Sequence, residues 1–179
     1  MKILLEILKI KDPDGVSRFK AIISFQDAVA HTSQSQELIQ IQNEYTKFVD
    51  GCQRLLKEIR SNRKCMANSK LQWKLADNIY SFIKRVENDG YIFANVSEAL
   101  SRDVGMSKSQ LNYLIKFRTH YPSIDQVSNE INWSKYRELM DFSDEKSRKQ
   151  CETLIKMGKI KSDTEIRDFK RKLKTSKIS

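Results

Sequence analysis

This chain is predicted to be all-α, on three grounds. Helix breakers are scarce, apolar residues recur at steps of three and four, and no segment sustains strand-like alternation. Five glycines and two prolines interrupt 179 residues, and 39% apolar beside 31% charged residues suits helices with one solvated face. That balance argues against disorder throughout. The length accommodates a helical arm plus a compact domain of about 100 residues.

The first ten residues, MKILLEILKI, are apolar but short, carry Glu6 and lack a small-residue cleavage site. They read as an amphipathic helix or a strand rather than an export signal. KDPDG (11–15) is a turn, because proline fixes one backbone angle and Asp-Gly tolerates reversal. It separates that element from a helix over 16–30. An unbroken helix follows over 36–62, with Leu38, Ile41, Tyr45, Phe48, Cys52, Leu55 and Ile59 forming a seam at alternating steps of three and four. The seam fits an intramolecular helical hairpin or an intermolecular coiled coil. After a polar connection at 62–69, Leu71, Leu75, Ile79, Phe82 and Val86 mark a second amphipathic helix that Gly90 terminates, with Trp73 packing near its stripe. YIFANV (91–96) reads as a short extended piece or a wing-like strand.

SEALSRDVGMSKSQLNYLIKF (97–117) has the pattern of a helix-turn-helix. Small Ser101 permits close helix crossing, and Gly105 supplies a tight turn in which a side chain would clash. Val104, Met106, Leu111 and Leu114, with Leu100, hold the second helix against the first. Ser107 and Gln110 form an S-x-x-Q capping box at its start, and Asn95 and Glu98 are a similar candidate for the first helix. Ser107, Lys108, Ser109, Gln110, Asn112 and Tyr113 then occupy the start and outer face of a recognition helix. Gln110 and Asn112 suit adenine edges in the major groove, whereas Ser107, Lys108 and Ser109 suit phosphates at a helix N-terminus. Lys116 and Arg118 extend the backbone contact. Equally, Gln110 can serve only as a cap and Tyr113 can pack inward.

Three short helices fit the remainder. Ser134 is a cap for one holding Tyr136, Leu139 and Met140, with Trp133 as a core anchor. Ser143 or Asp144 caps the next, with Cys151, Leu154 and Ile155 inward and Gly158 closing it. Ser162 and Glu165 form a capping box before Ile166, Phe169 and Leu173. On that last helix Arg167, Lys170, Arg171, Lys172 and Lys174 fall mostly away from the apolar stripe, a face suited to sequence-blind phosphate contact.

A net charge of +10 points to a polyanionic partner. The basic excess grows along the chain, since residues 1–60 carry 9 basic and 8 acidic groups and residues 151–179 carry 9 and 4. Cys52, Cys65 and Cys151 are widely spaced, and only His31 and His120 could join them, so neither a zinc site nor any other metal or cofactor is expected. No phosphate loop, G-x-S-x-G elbow or H-E-x-x-H pair occurs, which argues against an enzyme. No run approaches a membrane span, and a cytoplasmic protein with reduced cysteines is expected. The organisation expected is a helical oligomerisation region (1–65), a helix-turn-helix DNA-binding domain (66–174) and a disordered basic tail (175–179).

The order of a helix-turn-helix, Tyr121-Pro122, a short helix beginning Trp-Ser-Lys-Tyr, an acidic-start helix and a basic last helix resembles the DNA-binding domain of ParB-type plasmid partition proteins over about residues 95–174. With SRFKAIISF, CQRLLKEI and SKLQWKLADNIY, the whole chain looks most like the small Borrelia-type plasmid partition proteins. NWSKYRELM also resembles the N-terminal domain of YhcG-type nucleases, but no catalytic domain of that kind follows. The partition resemblance implies a centromere-like or operator site in double-stranded DNA, a homodimer upon it and a separate ParA-type ATPase as partner. Transcriptional repression of a plasmid or phage locus, or a protein-binding adaptor using the 38–59 seam, are the alternatives. The arginine-rich G-E-R-R motif of nucleotide-switched ParB proteins has no match in residues 1–94, so nucleotide gating does not carry over.

Overall fold

A computed structural model describes residues 7–9, 35–61, 68–88, 91–93 and 96–176. The KDPDG turn, the helix expected over 16–30, the connection at 62–67, Gly90 and Asn95 lie outside the described residues, as does the expected boundary at residue 65. The described chain is all-α with one minimal ribbon. Strand β1 (Ile7–Lys9) pairs antiparallel with β2 (Tyr91–Phe93), Leu8 opposite Ile92. The helices are α1 (Ser35–Ser61), α2 (Asn68–Asn88), α3 (Val96–Val104), α4 (Lys108–His120), α5 (Trp133–Leu139), α6 (Glu145–Lys156) and α7 (Asp163–Ser176). A single 3-10 turn, Ile124–Gln126, lies between α4 and α5. The tail expected from residue 175 starts inside α7, which continues through Ser176.

The chain forms two compact units, one of Met1–Lys57 with Asp77–Asn112 and the other of Glu58–Ala76 with Tyr113–Ser179. The division falls inside α1, α2 and α4, so neither unit is a continuous stretch of sequence.

In the first unit α1 and α2 pair antiparallel within the chain. Phe48 stacks on Phe82 with centroids 4.3 Å apart, Tyr45 lies 5.7 Å from the same ring, and Arg85 bonds Glu44 at 2.9 Å. The seam of α1 differs from expectation in phase. Its buried line is Tyr45, Val49, Cys52, Leu56 and Ile59, while Phe48 and Leu55 are only half buried. Both lines share Tyr45, Cys52 and Ile59, and the packing selects the four-then-three step after each shared residue in place of three-then-four. The side chains of Leu38 and Ile41 lie outside the described residues. Tyr45 also donates to the carboxylate of buried Asp103 at 2.7 Å, and Gln53 donates to the Asp103 carbonyl at 2.8 Å. Helix α3 is thereby tied to α1 by a buried acid whose other oxygen accepts from the Arg102 Nε.

The second unit has an aromatic centre. Phe117 lies 5.1 Å from Tyr121, 5.1 Å from Trp133 and 5.0 Å from Tyr136, in tilted or edge-on arrangements. Trp133 is half exposed, so it borders this cluster rather than anchoring its middle. Trp73 Nε1 donates to the Tyr121 carbonyl at 2.6 Å, the Tyr121 hydroxyl donates to Glu152, and the Tyr136 hydroxyl accepts from the Ser128 amide. Each buried ring with a polar end thus has a partner. Helix α5 packs on α6 and α7. Its cap is Asn132, whose Oδ1 accepts from the Lys135 amide at 3.0 Å; Ser134, the expected cap, bonds Asp163 instead. Asp144 caps α6, and Ser162 and Glu165 close the expected reciprocal box on α7. Between α6 and α7, Gly158 has φ +70°, with Lys159 N donating to the Leu154 carbonyl and Gly158 N to that of Ile155.

Candidate nucleic-acid interface

Residues 97–117 are two helices. The amides of Gly105 and Met106 both donate to the Ser101 carbonyl at 3.1 Å, closing α3 with a left-handed glycine at φ +78°. A Cβ built on Gly105 would meet nothing within 4 Å. The expected clash is therefore absent, and the need for glycine comes from the backbone angle alone, which a side chain disfavours through its own carbonyl. Leu100, Val104, Met106, Leu111 and Leu114 are all buried, as the pattern requires. Helix α4 then starts at a serine cap: Ser107 Oγ accepts from the Gln110 amide at 3.1 Å, and the Ser107 carbonyl from that of Leu111 at 3.0 Å.

The first turn of α4 belongs to the first unit. Ser107, Lys108, Ser109 and Asn112 are exposed there, and Gln110 is half buried. With its acceptor role filled by the cap, the Ser107 hydroxyl keeps its own hydrogen to donate. Lys108 pairs with Glu98 of α3, both more than half exposed, and the hydrogen bond from Lys108 holds the Glu98 carboxyl below the usual carboxylate range. An ion pair so solvated is exchangeable for a phosphate. The N-terminal amides of this turn, one lysine, hydroxyls and two side-chain amides are the donor types that anion and base-edge contacts use.

The later turns of α4 belong to the second unit. Tyr113 is half exposed, with the Arg137 guanidinium 4.5 Å and the Lys116 ammonium 6.0 Å from its ring centroid. It packs against cations rather than inward. Lys116 is exposed and lies 3.8 Å from Asp141, and half-buried Arg118 sits 5.3 Å from the Trp73 ring.

The basic residues of α7 are placed differently. Lys170 is half buried, its Nζ 3.0 Å from Glu138 Oε2 and 3.1 Å from the Glu138 carbonyl. Arg167 binds the other Glu138 oxygen at 2.7 Å, and Arg171 pairs with Asp168. These contacts, led by the Arg167 bond, hold the Glu138 carboxyl below its usual range. Lys172 is exposed, and the side chain of Lys174 lies outside the described residues.

Three polar groups escaped the sequence reading. Asp103 looks like surface charge, but it is buried and bonded to α1. Arg148 is also buried, its Nη1 2.6 Å from His120 Nδ1 and its guanidinium 5.0 Å from the Tyr121 ring centroid. Burial and the Arg148 charge lower the His120 pKa, consistent with a neutral ring accepting from an arginine that can only donate. Arg137 carries no helix-turn-helix signature at all. Cys52 and Cys151 are free and buried, and burial pushes their thiols up to about 12 and about 11. Among the described residues no three His, Cys, Asp or Glu side chains are grouped to hold a metal, and no helix is long and apolar enough to cross a membrane. Comparison with protein-family models, curated proteins and solved structures finds no match to this chain.

Proposed function

We propose that this protein binds duplex DNA sequence-specifically, reading base edges with the first turn of α4. The observation that carries the reading is a glycine-stopped, serine-capped pair of helices whose apolar side is buried and whose Ser107, Lys108, Ser109 and Asn112 are open to solvent. The net charge of +10 supports it, because neutralised phosphates release counterions. Ser107, Lys108 and Ser109 take phosphates in this reading, and Gln110 and Asn112 take base edges. Catalysis has no part in it. Plasmid partition, with a homodimer on a centromere-like site and a separate ParA-type ATPase, enters through the resemblance in residue order. Repression at an operator would use the same chemistry at another location. The adaptor reading is less favoured, since Tyr45, Val49 and Cys52 of the α1 seam are already buried by the chain itself.

The test is selection of duplexes from a random pool, followed by affinity measurements over a salt series. The parent should prefer selected over random duplex by at least about a thousandfold, with log affinity falling linearly in log salt. Gln110→Ala with Asn112→Ala should erase most of that preference and leave random-duplex binding in place. A parent showing no salt-dependent affinity for any duplex would end the proposal.

A further inference from the structure

We infer that Arg137, held over the ring of Tyr113, is a preset clamp for a DNA backbone phosphate beside the reading helix; this rests on the duplex-binding reading above. Arg137 projects from α5 and is exposed, with its guanidinium 4.5 Å from the Tyr113 ring centroid. Among the described residues no carboxylate lies within ion-pair distance of it. The nearby acids are already engaged: Glu138 by Arg167 and Lys170, Asp141 by Lys116 and Lys170. An arginine left without an acid on a surface that pairs most of its neighbours is a site with charge to offer.

The ring supplies the second half of the case. Tyr113 under the guanidinium restricts the side chain through a cation–π contact, while among the described residues no hydrogen bond or ion pair occupies the guanidinium N–H groups, which can grip two oxygens at once. The side chain is thus ordered before any ligand arrives, which reduces the entropy that a phosphate contact would cost. Tyr113 follows directly on Asn112 in α4, so the platform belongs to the same helix as the proposed base-reading groups. Phosphate is favoured over a base edge because Arg137 comes from a flanking helix and not from the reading turn, and flanking cations in such interfaces set register on the backbone.

The experiment uses the full chain and measures affinity for a labelled random duplex and a selected duplex over a salt series. Arg137→Gln should lower affinity for both duplexes equally, by roughly five- to tenfold, and reduce the log-log salt slope by about 0.9, the value of one phosphate. Arg137→Lys and Tyr113→Leu should keep the parent slope but lose roughly threefold in affinity, because the charge remains and its fixed geometry does not. Tyr113→Phe, which keeps the ring, should match the parent. Thermal melting of Arg137→Gln should match the parent, showing that folding is intact. Parent-like slope and affinity in Arg137→Gln, from a parent that does bind DNA, would overturn the clamp alone. A selective loss on the selected duplex would overturn it in favour of base reading, and no duplex binding by the parent would overturn the functional reading with it.

Discussion

Helices α4 and α7 begin alike and are used differently. Each follows a glycine with positive φ and each starts at a serine whose Oγ accepts from the amide three residues on. Yet the exposed turn of α4 holds hydroxyls, amides and one lysine in a solvated pair, whereas three cations of α7 are bound to Glu138 and Asp168. Positive charge on a helix is therefore a poor guide to a nucleic-acid surface until its counter-charges are known. On α7 Arg167 and Lys170 fasten the helix to α5 through Glu138, and Arg171 pairs within α7 itself; on α4 the side chains of Ser109 and Asn112 are exposed.

The largest effect should come from removing the acid on which α7 depends. Glu138→Ala leaves Lys170 half buried with only a carbonyl and an Asp141 oxygen 4.0 Å away. The loss should be about 2 kcal/mol, below the range for a fully buried pair because Arg167 stays largely solvated. Chemical denaturation would measure it. The parent also has a pH signature: a carboxyl whose folded pKa is depressed stabilises the fold above its unfolded pKa, and that contribution disappears as pH falls through the folded value. Acidification below about pH 4.5 should thus destabilise the parent more than Glu138→Ala. Random-duplex affinity at neutral pH should be unchanged. An increase would mean that freed α7 cations reach DNA, which would dissolve the contrast.

Gly105→Ala and Gly158→Ala sharpen the comparison at the point where each helix is introduced. Both positions have φ near +75° and open space at Cβ, so each substitution should cost about 1–2 kcal/mol through the backbone alone. Their functional effects should part. Gly105→Ala disturbs the entry to the reading turn and should weaken selected-duplex binding by roughly tenfold or more, about the effect of one lost base contact. Gly158→Ala should leave it alone. Equal losses of affinity would show that unfolding, and not the aim of α4, sets the result.

Local signals were the legible ones. Helix ends and caps are written within three or four residues, which is why Ser107, Asp144 and the Ser162–Glu165 box were readable, and Gly105 and Gly158 marked their stops. The phase of α1 was not, because Tyr45, Cys52 and Ile59 satisfy two seams and only the packed partner chooses Val49 and Leu56. The solvent-facing residues of α4 followed from periodicity. The fate of the α7 cations did not, since Glu138 lies 29 residues from Arg167 and 32 from Lys170, and no helical spacing connects them. A larger separation, 58 residues, hid Asp103 from Tyr45. Pairing across sequence is decided by the fold, and it determines which charges are left for a partner.

Lys172 offers the smallest and most discriminating test. It is exposed on α7 and, among the described residues, no ion pair engages it, so of the described α7 cations it is the freest to meet a phosphate. Its replacement should shift stability by no more than about 0.5 kcal/mol, as for other surface sites without a structural role. If α7 is a brace, Lys172→Ala should also leave the salt dependence of random-duplex binding unchanged. A slope reduced by about 0.9 would assign one phosphate contact to α7. The sequence-level expectation of a basic contacting face would then hold for its unpaired residue, and the distinction between α4 and α7 would become one of base reading against backbone grip.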